Sequence, residues 1–295
     1  MPRPLQTALT RAVAHGTAGR TLPQVRAQAD RLNGQLATGL RIQKPSDDPG
    51  GFARAKALGQ LQDRLAQHTR GIDAAQLWVD RTQAELDGLA DLFAGAYETG
   101  LRAANGVMDR EVLARQVESA RAEAIARLNA TSGGEYLFAG NQTTTAPIDA
   151  VGEVAAGDFS GRRQRQVAPS VSIEINTVGA LEVGGVSVPS QLQALADAIR
   201  AGDQTAMGEA VEGVRAGADH FARLGGQSGS TSRQLAGARA ANETQDAVLG
   251  ERRAAIEEID LAEVLSASQR QQTALEAALR ATSTSVQTSI LDYLR

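Results

Sequence analysis

Two adjacent carboxylates are the first candidates for chemistry in this chain. Asp47 and Asp48 stand in the stretch IQKPSDDPGG, residues 42–51. Paired carboxylates that share a proton can act as general acid and general base. Pro49, however, disfavours the helical region for the residue before it and suits the first position of a helix, so Asp48 is expected at the N-cap, with Asp47 near the positive helix end. We therefore predict that Pro45, Asp47, Asp48 and Pro49 form a helix-capping turn rather than a catalytic dyad.

Other residues that could do chemistry are too dispersed to predict a site. The three histidines, His15, His68 and His220, are far apart, and none has a histidine or carboxylate partner at the helical spacing typical of zinc proteases. The chain has no cysteine, which excludes disulfides and thiolate ligands. It also lacks a nucleophile elbow, a P-loop and a dinucleotide-binding glycine motif. We expect no catalytic, cofactor-binding or metal site, and a protein that is not an enzyme.

Composition and charge exclude two further classes of partner. The 295 residues carry a net charge of −4 and a pI near 5.5, so no global positive field favours nucleic acid. No window approaches the roughly 18 unbroken apolar residues that a membrane-spanning helix needs. The N-terminal residues lack the apolar region of a secretory signal, so we expect any export to proceed without a cleaved signal peptide.

The elements that would position these residues are mostly helices. Apolar residues alternate at gaps of three and four from Leu58 to Ala96, a seven-residue repeat typical of a long helix with one narrow seam. A weaker repeat runs from Leu261 to Ser289, where four of the nine seam positions are polar. This last helix buries too little apolar surface to be stable alone, so we expect it to pack on other helices, from the same chain or from other copies of it.

The middle of the chain changes its pattern. Val171, Ile173 and Ile175 alternate with polar residues, which predicts a strand. Gly202-Asp203 is expected to stop one helix and cap the next, and the glycine-rich stretch 225–230 is expected to be a flexible connector. The predicted fold is mainly α with a β-containing insert, and its N- and C-terminal parts form a long antiparallel coiled coil or helical bundle.

The domain organisation follows from this symmetric order of elements. We expect a terminal coiled-coil domain from residues 1–44 and 261–295, and a long-helix bundle domain from residues 45–139 and 203–260. Residues 140–202 are expected to form a β-containing surface domain. Both ends of the chain would then lie at one end of the molecule.

Four stretches of the sequence resemble the flagellin superfamily and, within it, the hook-associated proteins of type 3, which join the bacterial flagellar hook to the filament. They are LATGLRIQKPSDDPGGFARA (36–55), GIDAAQLWVDRTQAELDGL (71–89), GGEYLFAGNQTTTAPI (133–148) and QQTALEAALRATSTSVQTSILDYL (271–294). The first 20 residues depart from the family pattern, since they carry Pro2, Pro4, Gly16 and Gly19.

The resemblance implies a non-enzymatic junction subunit outside the cell, in the flagellum. The implied partners are other copies of the chain in a ring, the first hook-associated junction protein, flagellin and an export chaperone, with export by the flagellar type III apparatus. The predicted assembly interface lies on the terminal seams and comprises Leu22, Val25, Ala29, Leu32, Leu36, Leu275, Leu279, Val286 and Ile290. A filament-forming flagellin and a coiled-coil binding module with no flagellar role stay open as alternatives, with an enzyme hosted in the β domain last.

Overall fold

The structure, a computed structural model, describes residues 23–106 and 109–293, with side chains as far as residue 280. Leu22 and the atypical segment from Met1 to Arg20 lie outside these residues, as do the side chains of Val286 and Ile290.

Helices account for most of the described residues. The first helix, α1, covers residues 23–38. The others are α2 (Pro49–Ala104), α3 (Arg110–Leu128), α4 (Val188–Ala201), α5 (Gln204–Glu257) and α6 (Leu261–Tyr293). No helix in the described part of the chain is long and apolar enough to cross a membrane.

The strands form three separate antiparallel pairs between α3 and α4. The pairs are β1 (Thr131–Ser132) with β2 (Glu135–Tyr136), β3 (Gln164–Ala168) with β4 (Val171–Glu174), and β5 (Glu182–Val183) with β6 (Val186–Ser187). The prediction of a mainly α fold with a β-containing insert is confirmed, and the alternating run at Val171–Glu174 is a strand.

The chain divides into two compact units, and the larger one comprises Asp63–Asp246. Its main hydrophobic cluster joins α2, α3, α4 and α5, and at its centre the rings of Phe93 and Phe221 meet edge to face at 5.2 Å. A second cluster packs the β3–β4 hairpin on α2 and α5 through Val79, Val167 and Leu235. The β hairpin is therefore held by the same two long helices that carry the main cluster.

The end of α4 and the start of α5 follow the predicted helix signals. Gly202 adopts a left-handed conformation with φ of 71°, and its N–H donates to the carbonyls of Ala198 and Ile199. The carboxylate of Asp203 accepts hydrogen bonds from the N–H groups of Thr205 and Ala206 at 2.9 and 3.1 Å. The predicted stop and N-cap at Gly202-Asp203 are confirmed.

The predicted flexible connector at residues 225–230 is wrong, because these residues lie inside α5. Glycine and serine disfavour a helix only weakly, by about 1 kcal/mol or less per residue relative to alanine. Leu224 on one side and Leu235 on the other are buried in the two clusters. Packing on both sides therefore outweighs the local preference, and the helix continues.

We predict that Gly217→Ala destabilises the larger unit, because a methyl group there would lie 2.3 Å from the Phe93 ring. Overpacking of this kind costs about 1–3 kcal/mol. Gly213 lies on the same helix with open space at its Cβ position, so Gly213→Ala serves as the matched control and should be neutral or stabilising. Urea unfolding of the two variants measures the difference, and equal stabilities would contradict the packing at Gly217.

Candidate assembly interface

The turn after α1 ties the two terminal parts of the smaller unit together; this unit contains the chain up to Gln62 and from Ala247 onward. Gly39 follows the last residue of α1 and has a φ of 71°. Leu40 then forms an antiparallel bridge with Glu258, and the N–H of Ile259 donates to the carbonyl of Gly39 at 3.1 Å. The segment between α5 and α6 is thereby fixed to the chain between α1 and α2.

The two adjacent carboxylates of this turn bind different backbone segments. Asp48 Oδ1 accepts a hydrogen bond from the N–H of Gly51 at 2.9 Å, which is the geometry of an N-cap for α2. Asp47 Oδ2 instead accepts from the N–H groups of Gln43 at 3.0 Å and Lys44 at 2.9 Å, upstream of the helix. Each carboxylate therefore has its own structural partners, and Asp47 stabilises the turn rather than the helix end.

The hydrogen bonds to Asp47 favour its charged form. The bond from the Gln43 N–H, followed by the bond from the Lys44 N–H, holds the pKa of the Asp47 carboxyl below its ordinary value of 3.8. A carboxylate with this environment is a poor proton donor or acceptor near neutral pH.

Close packing fixes the chain at the start of α2. A Cβ added at Gly51 would lie 2.4 Å from Asp48 Oδ2 and 2.5 Å from the Cδ1 atom of Ile42. Ile42 is only 3% exposed, so its side chain has little room to move. The glycine is therefore required where the cap and the buried isoleucine meet, and the stretch 42–51 is a packed turn.

The predicted interface residues of α1 mostly face inward. Ala29 and Leu32 are buried, whereas Val25 and Leu36 are partly buried. The amide of Gln271 on α6 donates to the carbonyl of Val25 at 2.8 Å, which places α6 beside α1. A large share of the α1 stripe is therefore covered within a single chain.

Helix α6 leaves apolar side chains uncovered. Leu279, which belongs to the predicted interface, is 51% exposed, whereas Leu275 is partly buried. Leu261 and Leu265, which the predicted set omits, are 58% and 46% exposed. Both belong to the same seven-residue repeat as Leu279, and that repeat is the signal that could have included them. We call Leu261, Leu265 and Leu279 the exposed leucines of α6.

A groove of about 410 Å³ lies between α1 and the turn. Charged side chains of both signs line it, among them Asp30, Arg31, Arg41, Lys44 and Asp47. This mixed lining favours neither an anion nor a cation. Among the residues that the structure describes, no group of three histidine, aspartate or glutamate side chains is placed to hold a metal ion.

We predict that the amide proton shifts of Gln43 and Lys44 change during acid titration with a midpoint below 3.8. Because the pKa of Asp47 is lowered in the folded chain, its contribution to stability is fully present above 3.8 and is lost as the pH falls through the lowered value. The Asp47→Asn variant should lose this step, and Asp48→Asn, the matched control, should keep it. A midpoint at or above 3.8 would contradict the two hydrogen bonds.

Comparison with known proteins identifies a shared region at the N-terminal side of the chain. Residues 11–143 match the model of the bacterial flagellin N-terminal helical region. The flagellar hook-associated protein 3 of Escherichia coli is 30% identical over 159 residues, which cover 52% of this chain and 50% of the relative. The protein of the same name from Salmonella typhimurium is 32% identical over 148 residues, which cover 48% and 47%. The chain therefore spans about half the length of the curated relatives that it matches.

Solved structures share the fold over most of this chain. A putative flagellar hook-associated protein from Vibrio parahaemolyticus has a TM-score of 0.66 at 21% identity, covering 71% of this chain and 99% of the other. Flagellar hook associated protein-3 from Legionella pneumophila has a TM-score of 0.59 at 14% identity, covering 67% and 98%. FlgL of Bacillus cereus has a TM-score of 0.56 at 18% identity, covering 70% and 99%.

At these sequence identities the solved structures show only that the fold is shared. The evidence for similarity in sequence comes from the family match and the two curated relatives. Residues 11–143 are therefore similar to the flagellin N-terminal helical region, and the chain resembles the flagellar hook-associated proteins 3 over about half of their length.

Proposed function

We propose that this protein is a structural junction subunit of the bacterial flagellum. It assembles as a short ring that connects the hook-side junction protein to the flagellin filament. The sequence match to two proteins named flagellar hook-associated protein 3 carries this proposal, although it spans about half of each relative. The fold shared with solved hook-associated proteins supports it.

The geometry of α6 supports assembly. Three exposed leucines on one helix leave apolar surface that water contacts in the single chain, and another subunit can cover it. In this proposal residues 1–44 and 261–295 form the inner coiled-coil layer. Residues 45–139 and 203–260 form the helical layer outside it, and residues 140–202 form the surface domain.

The proposed partners follow from a position between two different structures. One neighbour is the first hook-associated junction protein, the other is flagellin, and an export chaperone binds the chain before it leaves the cell through the flagellar type III apparatus. The role is mechanical, and no catalysis is required. Asp47 and Asp48 accept hydrogen bonds from separate backbone groups, so they do not act together as an acid and base pair. This arrangement supports a role without catalysis.

The nearest alternative is a filament-forming flagellin, since the matched region carries the name of that protein. The two roles differ in how far the subunit polymerises. A junction subunit stops at a fixed length, whereas a flagellin adds subunits without limit.

The proposal is tested by adding the purified protein to isolated hooks that bear the first junction protein at their tips. Electron microscopy should show a thin collar of fixed length that then accepts flagellin. Open-ended growth would establish the flagellin alternative, and bare tips would favour a coiled-coil binding module with no flagellar role.

We predict that Leu279→Asp gives a folded monomer that no longer forms the collar. Leu279 is half exposed in the single chain, so a carboxylate there should leave the fold intact while it costs about 2 kcal/mol or more at a contact that buries it. Leu279→Met, the matched control, keeps the apolar surface and should assemble. The same hook assay measures both, and circular dichroism checks the fold. Normal collars from Leu279→Asp would remove this residue from the interface.

A further inference from the structure

One segment of α5 is built from residues that disfavour a helix. Residues 225–232 read GGQSGSTS, in which only Gln227 is not glycine, serine or threonine. Glycine loses the most backbone freedom when it is ordered, and short hydroxyl side chains compete for backbone hydrogen bonds. Helix α5 nevertheless runs through this segment without a break. We call residues 225–232 the glycine-serine segment.

Close packing does not require the glycines in the middle of this segment. A Cβ added at Gly226 would meet nothing within 4 Å. At Gly229 the nearest atom, Oε1 of Gln83, would lie 3.6 Å away, which is an ordinary van der Waals distance. Gly217 on the same helix is different, since its Cβ would clash with the Phe93 ring. The glycines at 226 and 229 therefore weaken the helix without serving a close contact.

The glycine-serine segment also lies between the two hydrophobic clusters of the larger unit. The main cluster takes Phe221 and Leu224 from α5, and the second cluster takes Leu235. Residues 225–234 contribute to neither cluster. Packing of an apolar face is what holds most helices in place. Gly225 and Ser228 are buried, but no apolar side chain of this part of α5 adds to either cluster.

Polar contacts are what join the segment to α2. The hydroxyl of Ser228 donates to the carbonyl of Val79 at 3.3 Å, near the long limit for a hydrogen bond. The amide of Gln76 donates to Ser232 Oγ at 2.6 Å, while its Oε1 atom is buried without a partner. A cavity of about 390 Å³ lies beside the segment, with Gln227 and Ser228 in its lining. Ser232 also donates to Asp80 Oδ1 at 3.3 Å, so the segment is held to α2 by a few polar contacts and has free space beside it.

We propose that α5 opens locally over the glycine-serine segment. Opening there breaks helical hydrogen bonds that water can replace, while the clusters around Phe221 and Leu235 stay packed. Because α2 runs unbroken through both clusters, they stay joined on that side while α5 can bend between them. The use of this motion rests on the proposed junction role. A subunit between two unlike neighbours must pack in two geometries, and a helix that opens locally would let the same fold adopt both.

Amide hydrogen exchange on the isolated chain tests the local opening. In the unaltered protein the amides of residues 226–232 should exchange faster than those near Phe221 and Leu235. The double variant Gly226→Ala/Gly229→Ala should slow them by about 25-fold, from about fivefold for each substitution. The matched control Gly208→Ala/Gly213→Ala changes two other glycines of α5 that have open space at Cβ, and it should leave residues 226–232 unchanged.

Two results would overturn the proposal. One is exchange at residues 226–232 that is as slow as at the flanking turns, which would mean that no local opening occurs. The other is an equal slowing of these amides by the control, which would mean that α5 opens as a whole. Because the exchange is measured without hooks, a chain that opens as expected but leaves hook tips bare would refute only the junction role.

Discussion

The stability of α6 is the constraint on which the proposed assembly of this chain depends. The helix has 33 residues and keeps Leu261, Leu265 and Leu279 largely in contact with water. Burying a fully exposed leucine side chain contributes about 1.5–3 kcal/mol, and these three are about half exposed, so covering each would contribute about half of that. A single chain forgoes that contribution, and a neighbouring subunit can recover it. In the proposed assembly the same surface would make the isolated helix weak and the assembled one stable.

The turn at residues 39–48 is what keeps such a weak helix in position. Its bridge from Leu40 to Glu258 fixes the chain just before α6 begins. The start of the helix is therefore held in place even though the exposed leucines of α6 stay in contact with water. Asp47 holds the turn closed and Asp48 caps the helix that follows. Residues whose pairing first suggested catalysis thus help to position the exposed leucines of α6, which form the proposed assembly surface.

The sequence predicted the elements well where local chemistry decides them. Asp203 before α5 and the alternating run at Val171 were readable because caps and strands have short-range signals. The prediction of a connector at residues 225–230 was wrong because the flanking Leu224 and Leu235 pack in clusters with distant parts of the chain, and this packing overrides the local propensity. The stripe through Ala29 and Leu32 shows another limit. Its spacing predicts a buried face, but it does not indicate whether the residues that bury this face belong to the same chain or to another subunit.

The structure distinguishes side chains that are buried within one chain from side chains that are left exposed. Ala29 and Leu32 belong to the first group, and the exposed leucines of α6 belong to the second. Amide hydrogen exchange along residues 261–279, compared between the free protein and collars formed on hooks, tests this difference most directly. We predict rapid exchange in the free chain and at least tenfold slower exchange in the collar. Equal protection in the two states would contradict the claim, because α6 would then be stable without any neighbouring subunit.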